Sequence, residues 1–179
     1  MSATPTDSPH PPAAARQLPH TAGCLVCGRE NPHGLHLDLR VDAAGTVATD
    51  FSPGPTHIGF QGVTHGGVLA TVLDEAMVWA ATWAGRRFCL CGEMTIRFRK
   101  PAHVGEPLRF EARVTVARSR LVTTVGVARD AAGAVVAEAT GKYVPLPDDQ
   151  NRAFVATLVD DPTTDEAARV LRAAAAGVS

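Results

Sequence analysis

Alternation of hydrophobic and polar residues along the chain predicts strands on both sides of one long apolar segment. The first alternating stretch runs from Leu35 to Val41, and the turn at 43–45 leads into a second at 46–51. These two stretches predict a β-hairpin. Beyond residue 85 the alternation returns and predicts further antiparallel strands, at 94–98, 108–118, 121–129 and 134–144.

The apolar segment from Gly67 to Ala84 lies between these two groups of strands. It is too long for a strand, and its alanine and leucine content favours a helix, with Thr64 as the predicted cap and Gly85 at the end. Apolar residues occupy almost the whole circumference of the predicted helix, so the helix must be buried on most sides. Because a flat sheet covers only one side, we predict an α+β fold in which a curled antiparallel sheet wraps around this helix.

The chain divides by composition into three parts. Residues 1–20 contain five of the 13 prolines and predict a disordered tail. Residues 21–147 predict a single domain. Residues 148–179 predict a C-terminal appendage with one short helix from Thr164 to Ala176, capped by Thr163 or Thr164.

Charge and hydropathy exclude several classes of partner. Among 179 residues, 17 basic and 18 acidic side chains leave a formal net charge of −1, which gives no field to attract nucleic acid or an anionic membrane. The sequence has no apolar run long enough for a membrane span and no secretion signal at its start, so we expect a cytoplasmic protein.

The tripeptide His65-Gly66-Gly67 stands at the entrance to the predicted helix. Backbone N–H groups without acceptors and the positive end of the helix dipole meet there, and glycine allows a ligand oxygen to approach closely. The tripeptide therefore indicates either an oxyanion site or a glycine-rich turn that only starts the helix.

Two adjacent carboxylates, Asp74 and Glu75, interrupt the apolar helix. They point about 100° apart, so at most one is expected to reach the surface, and a buried carboxylate is costly unless it is paired or used. One interpretation is an ion pair with Arg97 or Arg99. The other is a catalytic base or nucleophile.

The spacing of these features has a geometric consequence for any shared site. Gly66 and Asp74 are eight residues apart, roughly 12 Å along a helix, whereas a carbonyl under attack lies about 3 Å from both its oxyanion donor and its nucleophile or base. If both act on one carbonyl, Gly66 of one chain must face Asp74 of another. This predicts an obligate dimer with two equivalent sites.

The run from Gly59 to Met77, GFQGVTHGGVLATVLDEAM, resembles the signature of the hotdog-fold acyl-CoA thioesterases of the PaaI-like group. Upstream, CLVCG at 24–28, Asn31-Pro32 and Gly34-Leu35 resemble the opening CxxCG…NPxGL motif of one subgroup. Downstream, residues 96–101 and Gly105 resemble a later strand and turn. The resemblance covers roughly residues 24–144.

This resemblance implies thioester hydrolysis of acyl-CoA at the interface of a homodimer, which in the family often pairs into a dimer of dimers, without a metal or an organic cofactor. By position, Gly66 would donate its N–H to the thioester oxygen, and Asp74 would attack or activate water. His65 and Gly67 would line the site. His57 or Gln61 would orient water or substrate, unless they are simply solvated, and Glu75 is expected to form an ion pair.

Cys91 departs from the family pattern. Relatives of this kind commonly have threonine or serine there to assist the carboxylate, and a thiol is a poorer hydrogen-bond partner than a hydroxyl. Cys91 is then either a weak member of the site or a small buried residue. The substitution keeps open a non-catalytic acyl-CoA-binding module, while a hydratase or dehydratase on the same fold is disfavoured by the spacing of His57 and Asp74.

Two further groups of residues have alternative interpretations. Cys24 and Cys27 have the spacing of a pair of metal ligands. A complete set of four ligands would also need His33, His36 or the Cys89/Cys91 pair, and we expect structural thiols rather than zinc. Arg97 and Arg99 belong either to a solvated strand face or to a contact with the phosphates of coenzyme A.

Overall fold

A computed structural model describes residues 15–177 and places seven strands in one antiparallel sheet, in the order β1-β2-β3-β7-β8-β9-β6. Two short strands, β4 and β5, form a separate hairpin. The strands are β1 (Arg16–Gln17), β2 (Arg40–Val41), β3 (Val47–Phe51), β4 (Ile58–Phe60), β5 (Val63–Thr64), β6 (Cys89–Phe98), β7 (Leu108–Arg118), β8 (Leu121–Asp130) and β9 (Val135–Pro145).

The long helix α1 (Gly66–Gly85) packs against five strands of this sheet, β3, β6, β7, β8 and β9. Its buried residues lie on several sides of the helix, as the sequence predicted: Leu69, Val72, Leu73, Ala76, Met77, Trp79, Ala80, Ala81, Thr82 and Trp83. The predicted hotdog fold, a curled sheet around one buried helix, is therefore confirmed.

The start of α1 differs from the prediction by one residue. His65, not Thr64, is the N-cap, and its Nδ1 accepts the N–H of Gly67 at 2.9 Å. Thr64 instead belongs to β5, and its N–H donates to Ala102. At the other end, Arg86 adopts the left-handed conformation that terminates the helix after Gly85.

The predicted strand at 35–41 is largely wrong, because only Arg40–Val41 forms a strand. The N–H groups of Leu35 and Leu37 donate to the carbonyls of Leu25 and Val26, so the segment pairs with the CxxC loop instead of the sheet. In contrast, β6 begins at Cys89, five residues before the predicted start.

Both ends of the described chain pack on the core, which differs from the predicted tail and appendage. Leu18 and His20 are buried, the carbonyl of His20 accepts from Val159, and Arg16 forms an ion pair with Glu166. The first 14 residues of the predicted tail lie outside the described residues. The C-terminal part contains two helices, α2 (Asp148–Val155), which the sequence pattern did not predict, and α3 (Asp165–Ala175), which it did.

Candidate functional site

The N-terminus of α1 presents one backbone N–H without an acceptor. Gly66 is in the first turn, where no intrahelical acceptor exists, and within residues 15–177 its N–H makes no hydrogen bond. The neighbouring N–H of Gly67 is used by the His65 ring. Of the predicted donors, Gly66 is therefore the one available to a ligand, while His65 and Gly67 hold the helix start in place.

Gly66 is packed beneath an aromatic ring from β6. A Cβ at this position would lie 3.2 Å from the Phe98 ring, which is tighter than ordinary van der Waals contact. The Phe98 side chain is 53% exposed. Its ring therefore borders the approach to the Gly66 amide.

Asp74 is half-buried and is held by a residue from the opposite end of the sequence. The Tyr143 hydroxyl donates to Asp74 Oδ1 at 2.8 Å, and the tyrosine is fully buried. Tyr143 is directly opposite Cys91 in the β6–β9 ladder. In the described part of the chain Asp74 has no cationic partner, so the ion pair with Arg97 or Arg99 that the sequence offered as one interpretation is wrong for this residue.

Burial and the negative charge of Asp74 together raise the pKa of both side chains next to this carboxylate, Tyr143 and Cys91. Desolvation, followed by the negative charge of Asp74, raises the pKa of Tyr143 well above its ordinary value. The same two causes raise the pKa of the Cys91 thiol. Both groups therefore stay protonated at neutral pH, and Tyr143 is a constant hydrogen-bond donor to the carboxylate.

Glu75 projects towards the CxxC loop and away from Asp74's neighbours. Its Oε1 accepts from Trp79 Nε1 at 3.0 Å and lies 3.6 Å from Cys24 Sγ. Within the described residues it pairs with no arginine or lysine, so the expected ion pair is wrong. Desolvation, followed by the charge of Cys24, raises the pKa of Glu75 to about 7, while a hydrogen bond from Cys27 lowers the pKa of Cys24 to about 5.

The structure places His57 and Gln61 in different surroundings. His57 Nδ1 accepts the N–H of Gly54 at 2.9 Å. Its ring also lines a groove of about 400 Å³ between the CxxC loop region and the first turns of α1, which Val68 and Thr71 line as well. Gln61 is exposed in the tight turn between β4 and β5 and adopts a positive φ of 41°.

Arg97 and Arg99 lie on the face of the sheet that points away from α1. Met94 and Ile96 pack against the core, so the alternate residues of β6 face outward. Arg99 forms an ion pair with Glu138, and Arg97 lines an open depression on this outer face. Within one chain, the structure does not bring either arginine together with Gly66 or Asp74.

Sequence reasoning missed Tyr143 as a site residue, although it is the only tyrosine in the chain. Its contact with Asp74 joins residues 69 positions apart. The alternation along β9 indicates that position 143 faces inward, but it does not give the β6–β9 register or the helix position that the ring reaches. No local motif could have revealed the pair.

Comparison with known proteins agrees with this architecture. Residues 61–137 match the family model of the thioesterase superfamily. No match to a curated protein sequence was found. In the described residues, no helix has the length and hydrophobicity needed to cross a membrane.

Several solved structures have the same fold as this chain. RHA08564, a thioesterase superfamily protein, is 28% identical with a TM-score of 0.65 over 75% of this chain and 70% of its own. Escherichia coli PaaI, from the phenylacetic acid degradation operon, has a TM-score of 0.59 at 19% identity, over 63% of this chain and 81% of its own. Streptococcus mutans smu.793, bound to acetyl-CoA, has a TM-score of 0.58 at 16% identity, over 62% of this chain and 88% of its own.

Proposed function

We propose that this protein hydrolyses an acyl-CoA thioester and uses Asp74 as the reactive carboxylate. The observation that carries the proposal is the state of Asp74: Tyr143 donates to Oδ1, the Cys91 thiol is the other neighbouring side chain, and no cation in the described chain neutralises the charge. A half-buried carboxylate with a fixed orientation and no cationic partner is suited to attack a carbonyl or to accept a proton from water.

Two chemical steps are compatible with this geometry. As a nucleophile, Asp74 Oδ2 bonds to the thioester carbon, the C–S bond breaks, coenzyme A leaves as a thiolate, and water then cleaves the mixed anhydride. As a general base, Asp74 takes a proton from water while the water oxygen bonds to the same carbon; the C–S bond then breaks, and coenzyme A leaves as a thiolate that takes up the proton. In both cases negative charge develops on the thioester oxygen, and the free N–H of Gly66 is the donor that would stabilise it.

The position of β6 supports a site shared by two copies of the chain. This strand is at the edge of the sheet, is exposed along most of its length, and borders Gly66 through Phe98 and Asp74 through Cys91. A long edge strand readily pairs with another strand. If two β6 strands pair antiparallel about a two-fold axis between residues 94 and 95, residue 98 of one copy lies near residue 91 of the other, and Gly66 of one protomer approaches Asp74 of its partner.

The comparisons favour the same substrate class. The family match spans both Gly66 and Asp74, and one structure of the same fold contains acetyl-CoA. The groove beside His57 and the start of α1 is a candidate position for part of the ligand. His57, Gln61 and His65 are proposed to line the approach, and Arg97 and Arg99 would meet phosphates only if the ligand reached the outer face.

Asp74→Asn is the test of the mechanism. The amide keeps an oxygen to accept from Tyr143 but has no nucleophilic or basic oxygen, so kcat should fall by about 10²–10⁴-fold. Release of coenzyme A is followed with a thiol reagent on a panel of acyl-CoA esters that includes acetyl-CoA and phenylacetyl-CoA. Asp50→Asn, which makes the same change at an exposed carboxylate paired with Arg109 and outside β6, is the matched control and should leave kcat unchanged. Undiminished turnover by Asp74→Asn would refute the role of Asp74.

Cys91 supports a second candidate, an acyl-CoA-binding module without hydrolysis. A thiol stands next to Asp74 where a hydroxyl would assist the carboxylate better. Calorimetric binding of acyl-CoA by the wild-type protein with no release of free thiol across the panel would favour this candidate. Thiol release that depends on Asp74 would exclude it.

A further inference from the structure

Three potential metal ligands meet where the CxxC loop contacts α1. The sulfur atoms of Cys24 and Cys27 and a carboxylate oxygen of Glu75 all lie within 4.8 Å of one another. Cys27 is buried, Cys24 and Glu75 are half-buried, and none of the cysteines forms a disulfide. The thioesterase mechanism proposed above uses none of these groups.

The backbone of the CxxC loop holds Cys24 in a fixed orientation. Its Sγ accepts the N–H groups of Val26 and Cys27 at 3.3 and 3.4 Å, and its carbonyl accepts from Gly28 at 3.0 Å. A Cβ on Gly28 would lie only 2.4 Å from the backbone nitrogen of Cys24, so only glycine fits this turn. The loop therefore presents two sulfur atoms to the same side, and two N–H dipoles favour a thiolate at Cys24.

The separation of sulfur and oxygen fits a tetrahedral ion. Zinc binds thiolate sulfur at about 2.3 Å and carboxylate oxygen at about 2.1 Å, which at the tetrahedral angle places these two ligand atoms about 3.6 Å apart. Cys24 Sγ and Glu75 Oε1 are 3.6 Å apart. Two of the three ligands are sulfur atoms, and soft thiolate ligands favour zinc over magnesium or calcium.

The surroundings of Glu75 are those of an oriented ligand. Trp79, one turn further along α1, donates its indole N–H to Oε1 and fixes the carboxylate towards the loop. In residues 15–177 no lysine or arginine pairs with Glu75 or with either cysteine. An ionised cluster would thus carry negative charge that a divalent cation is suited to neutralise.

We propose that Cys24, Cys27 and Glu75 bind one zinc ion, with a water molecule in the fourth position. Binding releases the thiol protons to solvent. The ion would fasten the N-terminal loop to α1, one residue from Asp74. Three of the four further ligands that sequence spacing offered have other contacts: His36 Nε2 contacts the Asn31 carbonyl at 2.6 Å, Cys89 Sγ donates to the Arg87 carbonyl at 3.5 Å, and Cys91 lies beside Asp74 and Tyr143.

The test is the metal content of the full-length protein, expressed with zinc in the medium and purified without chelator. Mass spectrometry of the metal is expected to give about one zinc per chain. Cys27→Ser and Glu75→Gln should each weaken zinc binding by about tenfold or more. Glu75→Gln keeps an oxygen for Trp79 and is the variant expected to preserve the fold, which circular dichroism checks. Cys91→Ser, which removes a thiol outside the cluster, should keep the full complement of zinc.

Cobalt(II) provides a readout of the ligand type. Replacement of zinc by cobalt in the wild-type protein should give visible d–d bands of tetrahedral cobalt and a thiolate charge-transfer band that Cys24→Ser weakens. Wild-type protein that is free of metal and shows no cobalt bands would overturn the proposal, whether its cysteines prove to be reduced or joined as a disulfide. Unchanged zinc affinity in Glu75→Gln would overturn the assignment of Glu75.

Discussion

The adjacent carboxylates of α1 have different environments because neighbouring helix positions point about 100° apart. Asp74 meets Tyr143 and Cys91 from β9 and β6, whereas Glu75 meets Trp79 and the CxxC loop. The sequence showed that two acids within an apolar helix need an explanation. It could not assign their partners, because only Trp79 is near in sequence and the other contacts depend on how the loop and the strands pack.

Tyr143 makes stability depend on pH at the alkaline end. Its pKa in the folded protein is raised by burial and by Asp74, whereas in the unfolded chain it ionises near pH 10. The unfolded state therefore releases this proton first, so the contribution is complete below pH 10 and is lost as pH rises above it. We expect the free energy of unfolding of the wild type to fall more steeply above pH 10 than that of Tyr143→Phe.

Urea unfolding from pH 7 to pH 11 measures this difference. Tyr143 is the only tyrosine, so no other phenol contributes, and the remaining groups titrate in both proteins. Removal of the hydroxyl should also cost about 1–3 kcal/mol at neutral pH, because Asp74 loses a hydrogen bond in a partly buried position. If the free energies of unfolding of the two proteins fall in parallel as pH rises, Tyr143 is not the source of the loss of stability at alkaline pH.

At the scale of whole elements, periodicity located the main strands and the long helix because both are long and regular. Periodicity was less accurate where hydrogen bonds between distant segments determine the structure. Leu35 and Leu37 alternate as in a strand, yet their N–H groups bond to the CxxC loop. Helix α2 is short and polar, and buries only Asn151 and Val155, so it has little hydrophobic pattern to detect.

The C-terminal helix α3 is part of the core and not an appendage. Leu171 is fully buried and, with Ala167, joins the main hydrophobic cluster. Leu171→Ala should therefore lower the free energy of unfolding by about 2–5 kcal/mol through lost burial and a residual cavity. Arg169→Ala, which removes an exposed ion pair with Asp165 on the same helix, is the control and should change stability by about 0.5 kcal/mol or less. Equal effects of the two substitutions in urea unfolding would contradict the core role of α3.

At the scale of the whole molecule, the proposed chemistry needs two chains because of the length of α1. Gly66 and Asp74 occupy the same helix, roughly 12 Å apart along its axis, and β6 is an edge strand that borders both. The separation was readable from the sequence, since it requires only that residues 66–74 be helical. The edge position of β6 was not, because strand order depends on the contacts of β9 with both β6 and β8.

Mixing two inactive variants tests whether each site takes Gly66 from one chain and Asp74 from the other. In Gly66→Val a branched side chain would collide with the Phe98 ring, and in Asp74→Asn the reactive oxygen is lost. A heterodimer of the two has one site with both defects and one site with none. If the chains are unfolded together and refolded at equal concentration, about half of the dimers are heterodimers. The mixture should then recover about one quarter of the activity of wild-type protein treated in the same way.

If instead Gly66 and Asp74 of a single chain served each site, every site would keep one defect, and the mixture would be no more active than the average of the two variants refolded separately.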